Sequence, residues 1–458
     1  MNYTAVRALC CVLFAYFGLA LNASGQGIAP YPNATTDRLI HNETPMALPP
    51  RNVVFTDPDF GSKMVRATDG TTNFKRPGTY IRTEASGQAN EWSSDGKKFY
   101  VLGSGGQVLV YDFNPSTMAI TSPPTAKSGQ PLLVPLNPGP TFAFTNPDLI
   151  YGTTGPEPLA ITSYQFSTGV STPVIDTRTC GVQPPLGMKP AVTSDTDVSL
   201  SMNDGRVSIS EGGPQNGKHM FVVVYDKKLG CRWYNTQTGQ IGGQWGKAGS
   251  ASLTDSYLIR HAYLTGNGKY VHILTDVGVW YMWNIASLQV TSCALGAHED
   301  CAGYGVTRYG TYVNGPGVLD DLQIDSRPVN NLVQITPLME PLPSPAYWGE
   351  VPHFTASNMN AKDTTPACLS TYEYDGDPGV DQPFWGEIFC VEDDGLGSTV
   401  WRFAHNRAQY IDPYFQTQPL GNISRNGKFF LFTSNWDGQL GYAADGTALS
   451  DVFIVKLD

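Results

Sequence analysis

The stretch from Glu91 to Tyr111 reads EWSSDGKKFYVLGSGGQVLVY and sets the pattern for much of the chain. It contains a Ser-x-Asp-Gly turn, a strand from Lys98 to Leu102, a Gly-Ser-Gly-Gly turn and a second strand that begins at Gln107. Runs of β-branched and aromatic residues separated by glycine, aspartate and serine turns are typical of antiparallel hairpins. The stretch therefore predicts two neighbouring strands of one sheet.

The same pattern returns further along the chain, as LTGNGKYVHILTDVGVWYMWN from Leu264 and ISRNGKFFLFTSNWDG from Ile423. Repetition at a period of a few tens of residues predicts a β-propeller. We count seven blade-like units from about residue 85 to the end, each long enough for four strands. The strands within Val53–Thr68 precede the first complete unit, so we expect them to complete the last blade and close the ring. The predicted fold is an all-β, seven-bladed propeller; two stacked all-β domains are the alternative.

Composition and charge narrow the classes of function. Hydrophobic residues make up 41% of the 458 residues and charged residues 15%, which is enough apolar material for a sizeable core. The formal net charge is −11 and the pI is near 5.1. Because nucleic acid is bound through basic surfaces, we expect no nucleic-acid partner.

The first 25 residues have the composition of a secretory signal. Arg7 precedes an apolar run from Leu9 to Leu21, and small residues follow at Ala23 to Gly25. A membrane anchor is the alternative, but the run is shorter than the roughly 20 residues that span a bilayer, so we expect no membrane span. We expect a secreted or periplasmic protein that begins near Gln26, with an exposed leader arm over residues 26–51 and the propeller over 52–458.

Cysteine usage agrees with export. Two of the eight cysteines lie in the signal, and the mature chain keeps an even number. An even count in an exported protein favours disulfides over metal ligation, and six cysteines allow 15 connectivities. Proximity within the predicted blades suggests the following pairs: Cys293–Cys301, Cys368–Cys390 and, by remainder, Cys180–Cys231.

Residues that precede the repeated turns are candidates for ligand contact, because the innermost strand of each propeller blade lines a central channel. Polar groups that converge on one channel from different blades form a plausible site for a glycan or a small molecule. The candidate ligand-binding residues are Glu91, Trp92, His405, Gln418 and Asn422. The candidate catalytic residues are Arg260, His261, Tyr263 and His353.

The group Arg260, His261 and Tyr263 suggests a specific reaction. On a strand, His261 and Tyr263 share one face and Arg260 lies on the other. A His/Tyr pair with a nearby arginine suits β-elimination from a uronate: arginine neutralises the carboxylate, histidine takes the C5 proton and tyrosine protonates the leaving oxygen. The scheme requires a bulge at Arg260 or a different arginine. Alternatively, Tyr263 packs between blades and Arg260 forms a surface ion pair.

Clustered carboxylates suggest two other kinds of site, one for glycoside hydrolysis and one for calcium. Acidic residues cluster in the fifth and sixth units, for example at Asp375 and Asp377. Two of them could act as acid and base on a glycosidic bond, or bind calcium through their oxygens. Acidic surface loops are the ordinary explanation in a protein of this pI. No Gly-x-Ser-x-Gly elbow, P-loop or His-Glu-x-x-His motif occurs, which disfavours common serine hydrolases, NTPases and zincins.

The stretch QTQPLGNISRNGKFFLFTSNW, from Gln416 to Trp436, resembles the final blade of secreted seven-bladed TolB/WD40-like propellers, a group that includes oligogalacturonate and ulvan lyases. In oligogalacturonate lyases this blade's entrance has a His-Pro-His metal-binding pattern with a glutamine upstream. Here the matching residues are Gln418, Pro419 and Leu420, so both histidines are missing. The resemblance implies a divalent metal such as manganese, for which His353 and His405 are the possible replacement ligands.

These observations leave two functions open. The first is a carbohydrate-active enzyme, a polysaccharide lyase that uses His261, Tyr263, Arg260 and His353. The second is a non-catalytic extracellular propeller that binds a glycan or a protein partner. The first is favoured by the His/Tyr/Arg group, and the second by the missing histidines and the lack of a complete catalytic motif.

Overall fold

The computed structural model describes residues 30–84, 89–154, 160–181, 198–212, 219–253, 255–277, 279–292, 299–300, 308–315, 318–334, 336–339, 353–355, 357–371, 373–374, 383–392, 399–411 and 413–458. Only the backbone is described at 299–300, 308–315, 318–325, 337, 339, 353 and 373–374. Residues 34–457 belong to one compact unit, and the description below is of that unit.

The secondary structure is almost entirely strand, arranged in sheets that follow one another along the chain. Two strands come first: β1 (Val54–Thr56) and β2 (Lys63–Arg66). The next sheet has β3 (Ile81–Arg82), β4 (Lys98–Gly103), β5 (Gln107–Asn114), β6 (Ala119–Thr121) and β7 (Leu132–Val134). A four-stranded sheet follows, with β8 (Thr141–Phe142), β9 (Leu149–Thr153), β10 (Ala160–Gln165) and β11 (Val170–Asp176).

A six-stranded sheet comes next, with β12 (Ser199–Leu200), β13 (Arg206–Glu211), β14 (Phe221–Asp226), β15 (Gly230–Asn235), β16 (Gln240–Gly243) and β17 (Gly249–Ser250). Two four-stranded sheets follow: β18 (Ile259–Leu264), β19 (Tyr270–Thr275), β20 (Trp280–Asn284) and β21 (Val290–Ser292); then β22 (Glu299–Asp300), β23 (Arg308–Gly315), β24 (Val318–Pro328) and β25 (Thr336–Met339).

The next sheet has β26 (His353–Thr355), β27 (Ala367–Ser370), β29 (Glu387–Val391) and β30 (Val400–His405), while β28 (Glu373–Tyr374) pairs with β31 (Gln409–Tyr410). The chain closes with β32 (Gly421–Ile423), β33 (Phe429–Ser434) and β34 (Asp451–Lys456). Two 3₁₀ turns, Thr177–Cys180 and Phe415–Thr417, are the helical elements of the described part. The prediction of an all-β chain is confirmed, and no described helix has the length and apolar character needed to cross a membrane.

N- and C-terminal strands share one sheet, whose order is β1-β2-β34-β33-β32. The antiparallel pairing of β2 with β34 sets Met64 opposite Val455. Beside it, the Arg66 guanidinium lies 2.5 Å from the Asp451 carboxylate, which is nearly buried. The prediction that terminal strands close the ring is confirmed, whereas the number of seven blades stays a prediction.

A repeated turn explains why the hairpins form where the sequence predicts them. The Ser93 hydroxyl donates to the Asp95 carboxylate at 2.8 Å and accepts the backbone N–H of Lys98 at 2.9 Å. The turn requires a positive φ, which Gly96 supplies at 67°. Thr265 and Ser424 bond to asparagine two residues later in the same way.

Hydrogen bonds join neighbouring sheets through their first strands or through residues close to them. The Asn90 side chain donates to the Phe142 carbonyl at 3.0 Å. Further links of this kind run from Leu264 N–H to Ser199 Oγ at 2.8 Å, from Ile423 N–H to Thr355 Oγ1 at 3.3 Å, and from Asn422 Nδ2 to the Ala89 carbonyl.

Disulfides Cys180–Cys231 and Cys368–Cys390 are formed, in the pairing suggested by the sequence, and they are compatible with an exported protein. The third expected pair, Cys293–Cys301, lies outside the described residues.

Candidate functional site

Strand β18 carries a bulge at Arg260. Ile259 lies opposite Thr275 and His261 lies opposite Leu274, so Arg260 is an extra residue without a partner across the ladder. Its side chain is exposed. A bulge re-aims the side chains beside it and is common next to functional sites. A regular strand would place Arg260 on the face opposite His261 and Tyr263, so the predicted Arg/His/Tyr site requires a bulge at this position.

His261 and Tyr263 contact each other beyond the bulge. The Tyr263 hydroxyl lies 3.3 Å from His261 Nδ1, and the two rings are nearly parallel with centroids 6.0 Å apart. Tyr263 is 3% exposed and His261 is half-buried. A phenol hydrogen-bonded to an imidazole can exchange a proton with it, so the pair can act as a linked acid and base.

Tyr100, on β4, lies close enough to Tyr263 for the charges of the two side chains to affect each other. Other polar residues from the sheet of β3 and β4 surround Tyr100. Burial, then the charges of Glu84, Glu91 and Tyr263, raise the pKa of Tyr100 well above its usual value. The Tyr100 hydroxyl donates to the Pro140 carbonyl at 2.7 Å. We call Arg82, Glu84, Glu91, Tyr100, His261 and Tyr263 the channel cluster.

Two glutamates of the channel cluster are held by backbone N–H groups. Glu91 accepts the Glu84 N–H at 2.8 Å, and Glu84 accepts the Gly139 N–H at 3.0 Å. Burial raises the pKa of Glu91 well above its usual value, and the charge of Glu84 adds to the rise, while the Glu84 N–H and Arg82 lower it. Glu91 is therefore neutral over a wider pH range than an exposed glutamate.

Comparison with known proteins addresses the fold. Neither the protein-family models nor the curated protein sequences include a match to this chain. An oligogalacturonate lyase from Vibrio parahaemolyticus is similar in structure, with a TM-score of 0.52 and 12% identity over 92% of this chain and 98% of that one. A solved oligogalacturonate lyase in complex with manganese has the same TM-score and coverage at 13% identity. The chain is a β-propeller. The predicted fold class is confirmed.

Two predicted ligand-binding residues of the propeller are buried between neighbouring sheets. Trp92 Nε1 donates to the Asn422 carbonyl at 3.1 Å, and the Asn422 side chain donates to the Ala89 carbonyl. Gln418 is 6% exposed, and its N–H closes the 3₁₀ turn on Phe415 at 3.2 Å. These are packing contacts, so a ligand-binding role for the three residues stays a prediction. His353 lies on β26, and its side chain is outside the described residues.

His405 lies near the β1–β2 turn. Its Nδ1 is 3.0 Å from an Asp59 carboxylate oxygen, and its Nε2 is 3.0 Å from the His41 carbonyl. Both neighbours accept hydrogen bonds; burial would raise the pKa of Asp59, but bonds from Thr44 and His405 hold it below its ordinary value. Both ring nitrogens of His405 thus face oxygen atoms that can accept a hydrogen bond.

The same neighbourhood has the spacing of a cation site, since ligand atoms of Asp57, Asp59 and His405 lie within 4.8 Å of one another. The Asp57 carboxylate accepts the N–H groups of Asp59 at 3.0 Å and Phe60 at 2.8 Å. His405 also contacts residues 34–51 through the His41 carbonyl, and its expected role as a replacement metal ligand stays a prediction.

Residues 34–51, which we call the arm, cross the propeller without forming a strand. Arg402 donates to the Leu39 carbonyl at 2.7 Å, and Arg407 donates to the Thr44 carbonyl at 2.8 Å. Trp436 Nε1 donates to the Met46 carbonyl at 3.1 Å. Most arm side chains are exposed, and the bounds of the predicted leader arm over residues 26–51 stay a prediction.

Proposed function

We propose that the protein is a carbohydrate-active enzyme, a polysaccharide lyase that cleaves a uronate-containing glycan by β-elimination. The observation that carries the proposal is the β18 bulge at Arg260, followed by the hydrogen-bonded pair of His261 and Tyr263. The structural similarity to proteins described as oligogalacturonate lyases adds support through the fold alone.

In the proposed reaction, His261 takes the proton from C5 of the uronate and Tyr263 gives a proton to the departing O4. The C5–H and C4–O bonds break, the C4=C5 double bond forms, and one glycan chain leaves with a new hydroxyl. The 3.3 Å contact between Tyr263 and His261 lets the proton taken by the imidazole return to the phenol. A general acid and a general base each contribute about 10²–10⁴-fold to such reactions.

A cation must neutralise the uronate carboxylate, because removal of the C5 proton places negative charge next to it. Arg260 is exposed at the bulge, and Arg82 lies close enough to Glu91 and Tyr100 to lower the pKa of each. Two charged glutamates in the channel cluster would repel a uronate, so the neutral state favoured at Glu91 is compatible with this substrate class. We assign the carboxylate contact to Arg260, with Arg82 offsetting Glu84.

The test is a screen of the chain from residue 26 to 458 against a panel of uronate-containing polysaccharides, with and without added Ca²⁺ or Mn²⁺. Absorbance of the unsaturated product reports elimination, and reducing-sugar detection reports hydrolysis. We expect His261→Gln and Tyr263→Phe to lower kcat about 100-fold or more. The control variants are Tyr442→Phe, an exposed loop tyrosine, and Arg178→Gln, an exposed arginine paired with Asp176. Wild-type activity in His261→Gln would overturn the assignment.

A non-catalytic propeller that binds a glycan or a protein is the second candidate. The observation that favours it is the nearly buried Tyr263 phenol, which a general acid that contacts a glycan would have to expose. If the screen gives neither unsaturated ends nor reducing ends, and calorimetry detects binding of a panel glycan to the same protein, this candidate replaces the lyase.

A further inference from the structure

We propose that the loop before β3 and the 3₁₀ turn Phe415–Thr417 form a further glycan-binding surface beside the channel cluster, on which Arg76 binds the carboxylate of a second uronate. We call Lys75, Arg76 and Phe415 the rim. The proposal rests on the proposed function for the identity of the ligand and deepens it: the ligand is a glycan with a carboxylate on consecutive sugars, and the rim is the surface that it follows outside the channel cluster.

The segment that leads into β3 is positively charged although the protein is acidic. Residues 70–83 read GTTNFKRPGTYIRT, with three cationic side chains and no aspartate or glutamate, whereas the whole chain has a formal net charge of −11. The cationic residues are Lys75, Arg76 and Arg82. An acidic protein repels a polyanion at long range, so a local basic surface is what it needs to bind an anionic chain.

The acidic residues on either side of this segment are already held by other groups. The Asp69 carboxylate lies 3.7 Å from the Arg51 guanidinium, and Glu84 accepts the Gly139 N–H at 3.0 Å. The Arg76 side chain is exposed and forms no ion pair with a residue that the structure describes. Its charge can therefore pair with a ligand.

The turn between β4 and β5 fixes the position of Arg76. A Cβ atom at Gly105 would lie 2.8 Å from the guanidinium carbon, so the guanidinium covers this glycine. Gly105 has a φ of 90°, a conformation that favours glycine. The Asn73 side chain accepts the Arg76 N–H at 3.1 Å and donates to the Gln107 side chain at 3.1 Å. The loop is therefore packed on this turn and presents Arg76 at a defined place.

Arg76 lies near the channel cluster. Because β3 pairs with β4, Arg82 of the channel cluster lies opposite Leu102. Gly105, which Arg76 covers, is three residues further along the chain, a separation of at most about 10 Å. Arg76 and Arg82 are therefore close enough to contact nearby sugars of one glycan chain.

The same turn contains a polar group without a partner. Ser104 is 7% exposed, and its hydroxyl has no hydrogen-bond partner among the described residues. Buried polar groups are nearly always paired. A carboxylate bound at the Arg76 guanidinium lies beside the residue that precedes Gly105, and it can supply the acceptor that the Ser104 hydroxyl lacks.

Phe415 supplies an apolar surface beside β3. Its 3₁₀ turn lies against β3, and the Thr83 hydroxyl, just after β3, donates to the Leu420 carbonyl at 2.6 Å. The Phe415 side chain is 39% exposed. A ligand site combines apolar and aromatic surface with a few polar groups that fix orientation. The rim has this combination, because the C–H face of a sugar can pack on Phe415 while its carboxylate contacts an arginine.

Calorimetry with two forms of one polysaccharide tests the rim. The parent protein is His261→Gln, so that no cleavage occurs during the titration. Polygalacturonate has a carboxylate on every sugar, and its methyl-esterified form has the same sugars without the charge. We expect Arg76→Gln to weaken binding of polygalacturonate about fivefold at low salt, the upper value for an exposed ion pair, and to leave binding of the esterified form unchanged. The difference should shrink at about 0.3 M salt, because salt screens exposed charges.

Two further variants separate charge from apolar contact. Phe415→Ala should weaken binding of both forms by the same factor, since contact with the sugar face does not depend on charge. Arg178→Gln is the matched control, because Arg178 is an exposed arginine paired with Asp176. It should bind both forms as the parent does.

Failure of the rim and failure of the proposed function give different results. Elimination by the wild type, together with equal affinity of the parent and Arg76→Gln for polygalacturonate, would overturn the rim alone. Arg76-dependent binding without elimination by the wild type would support the rim in a propeller that binds the glycan and does not cleave it. No binding of polygalacturonate by the parent would overturn the proposal.

Discussion

Replacement of Arg402 by methionine tests the energetics of the most buried ion pair that the structure describes around the arm. Arg402 is fully buried and Glu387 is 1% exposed by side chain, with Arg402 Nη2 2.5 Å from Glu387 Oε1 and Nε 2.8 Å from Oε2. The guanidinium also lies 4.7 Å from the Phe384 ring centroid. Methionine fills much of the same space but leaves the carboxylate without its cation.

We expect Arg402→Met to lower the free energy of unfolding by about 3–5 kcal/mol, the usual cost of removing one partner of a buried pair. Burial already raises the pKa of Glu387, and Arg402 is the main group that lowers it. Without Arg402, the pKa of the folded state rises further, and the stability that this group contributes is present at low pH and lost as the pH rises. The variant should therefore lose more stability at pH 8 than at pH 5.

The chain provides its own control. Arg178 Nη2 also lies 2.5 Å from Asp176 Oδ2, but these side chains are 64% and 34% exposed. Arg178→Met should change the free energy of unfolding by less than about 0.5 kcal/mol in the same urea titration. In the double variant Arg402→Met with Glu387→Met, the lone carboxylate is gone and stability should partly return. A loss below about 1 kcal/mol in Arg402→Met, or a double variant less stable than the single one, would refute the reasoning.

Two further outcomes are expected from urea titrations. Glu91→Gln should raise the free energy of unfolding at pH 8 and leave it nearly unchanged at pH 4, because burial raises the pKa of this carboxyl and ionisation opposes folding only at higher pH. An equal change at both pH values would contradict this. Replacing Cys180 and Cys231 by alanine should cost about 4.1 kcal/mol, and replacing Cys368 and Cys390 about 3.4 kcal/mol, since the disulfides close loops of 51 and 22 residues. The reverse order would show that loop closure does not control their contribution.

Much of the fold could be predicted from local sequence. The Ser-x-Asp-Gly turns carry their own hydrogen bonds, as at Ser93 and Asp95, so their hairpins need no distant information. The sequence has strands before its first complete unit, which predicted that the two ends of the chain close the ring. Strand β2 does pair with β34. The sequence also indicated that an Arg/His/Tyr site would need a bulge at Arg260, and β18 has one.

Other features of the candidate site and of the arm could not be predicted, because they depend on contacts between residues far apart in sequence. Arg82, Glu84 and Tyr100 were not predicted as part of a site, because only folding brings them into the electrostatic environment of Tyr263. The only local signal was an arginine and a glutamate two residues apart shortly before the first repeated turn. The arm was predicted as an exposed segment, but its anchors lie more than 360 positions away, as Arg402 does from Leu39.

The sheet shared by the two ends of the chain also constrains the order of events during synthesis. Strand β2 ends at Arg66 and its partner β34 begins at Asp451, so hundreds of residues are made before the partner exists. Until then, the nearly buried edge of β2 is open to pairing with other chains, a known route to aggregation. Completion of the ring must therefore wait for β34, and the cell has to shield the short β1–β2 segment from the time it is made until β34 has been made.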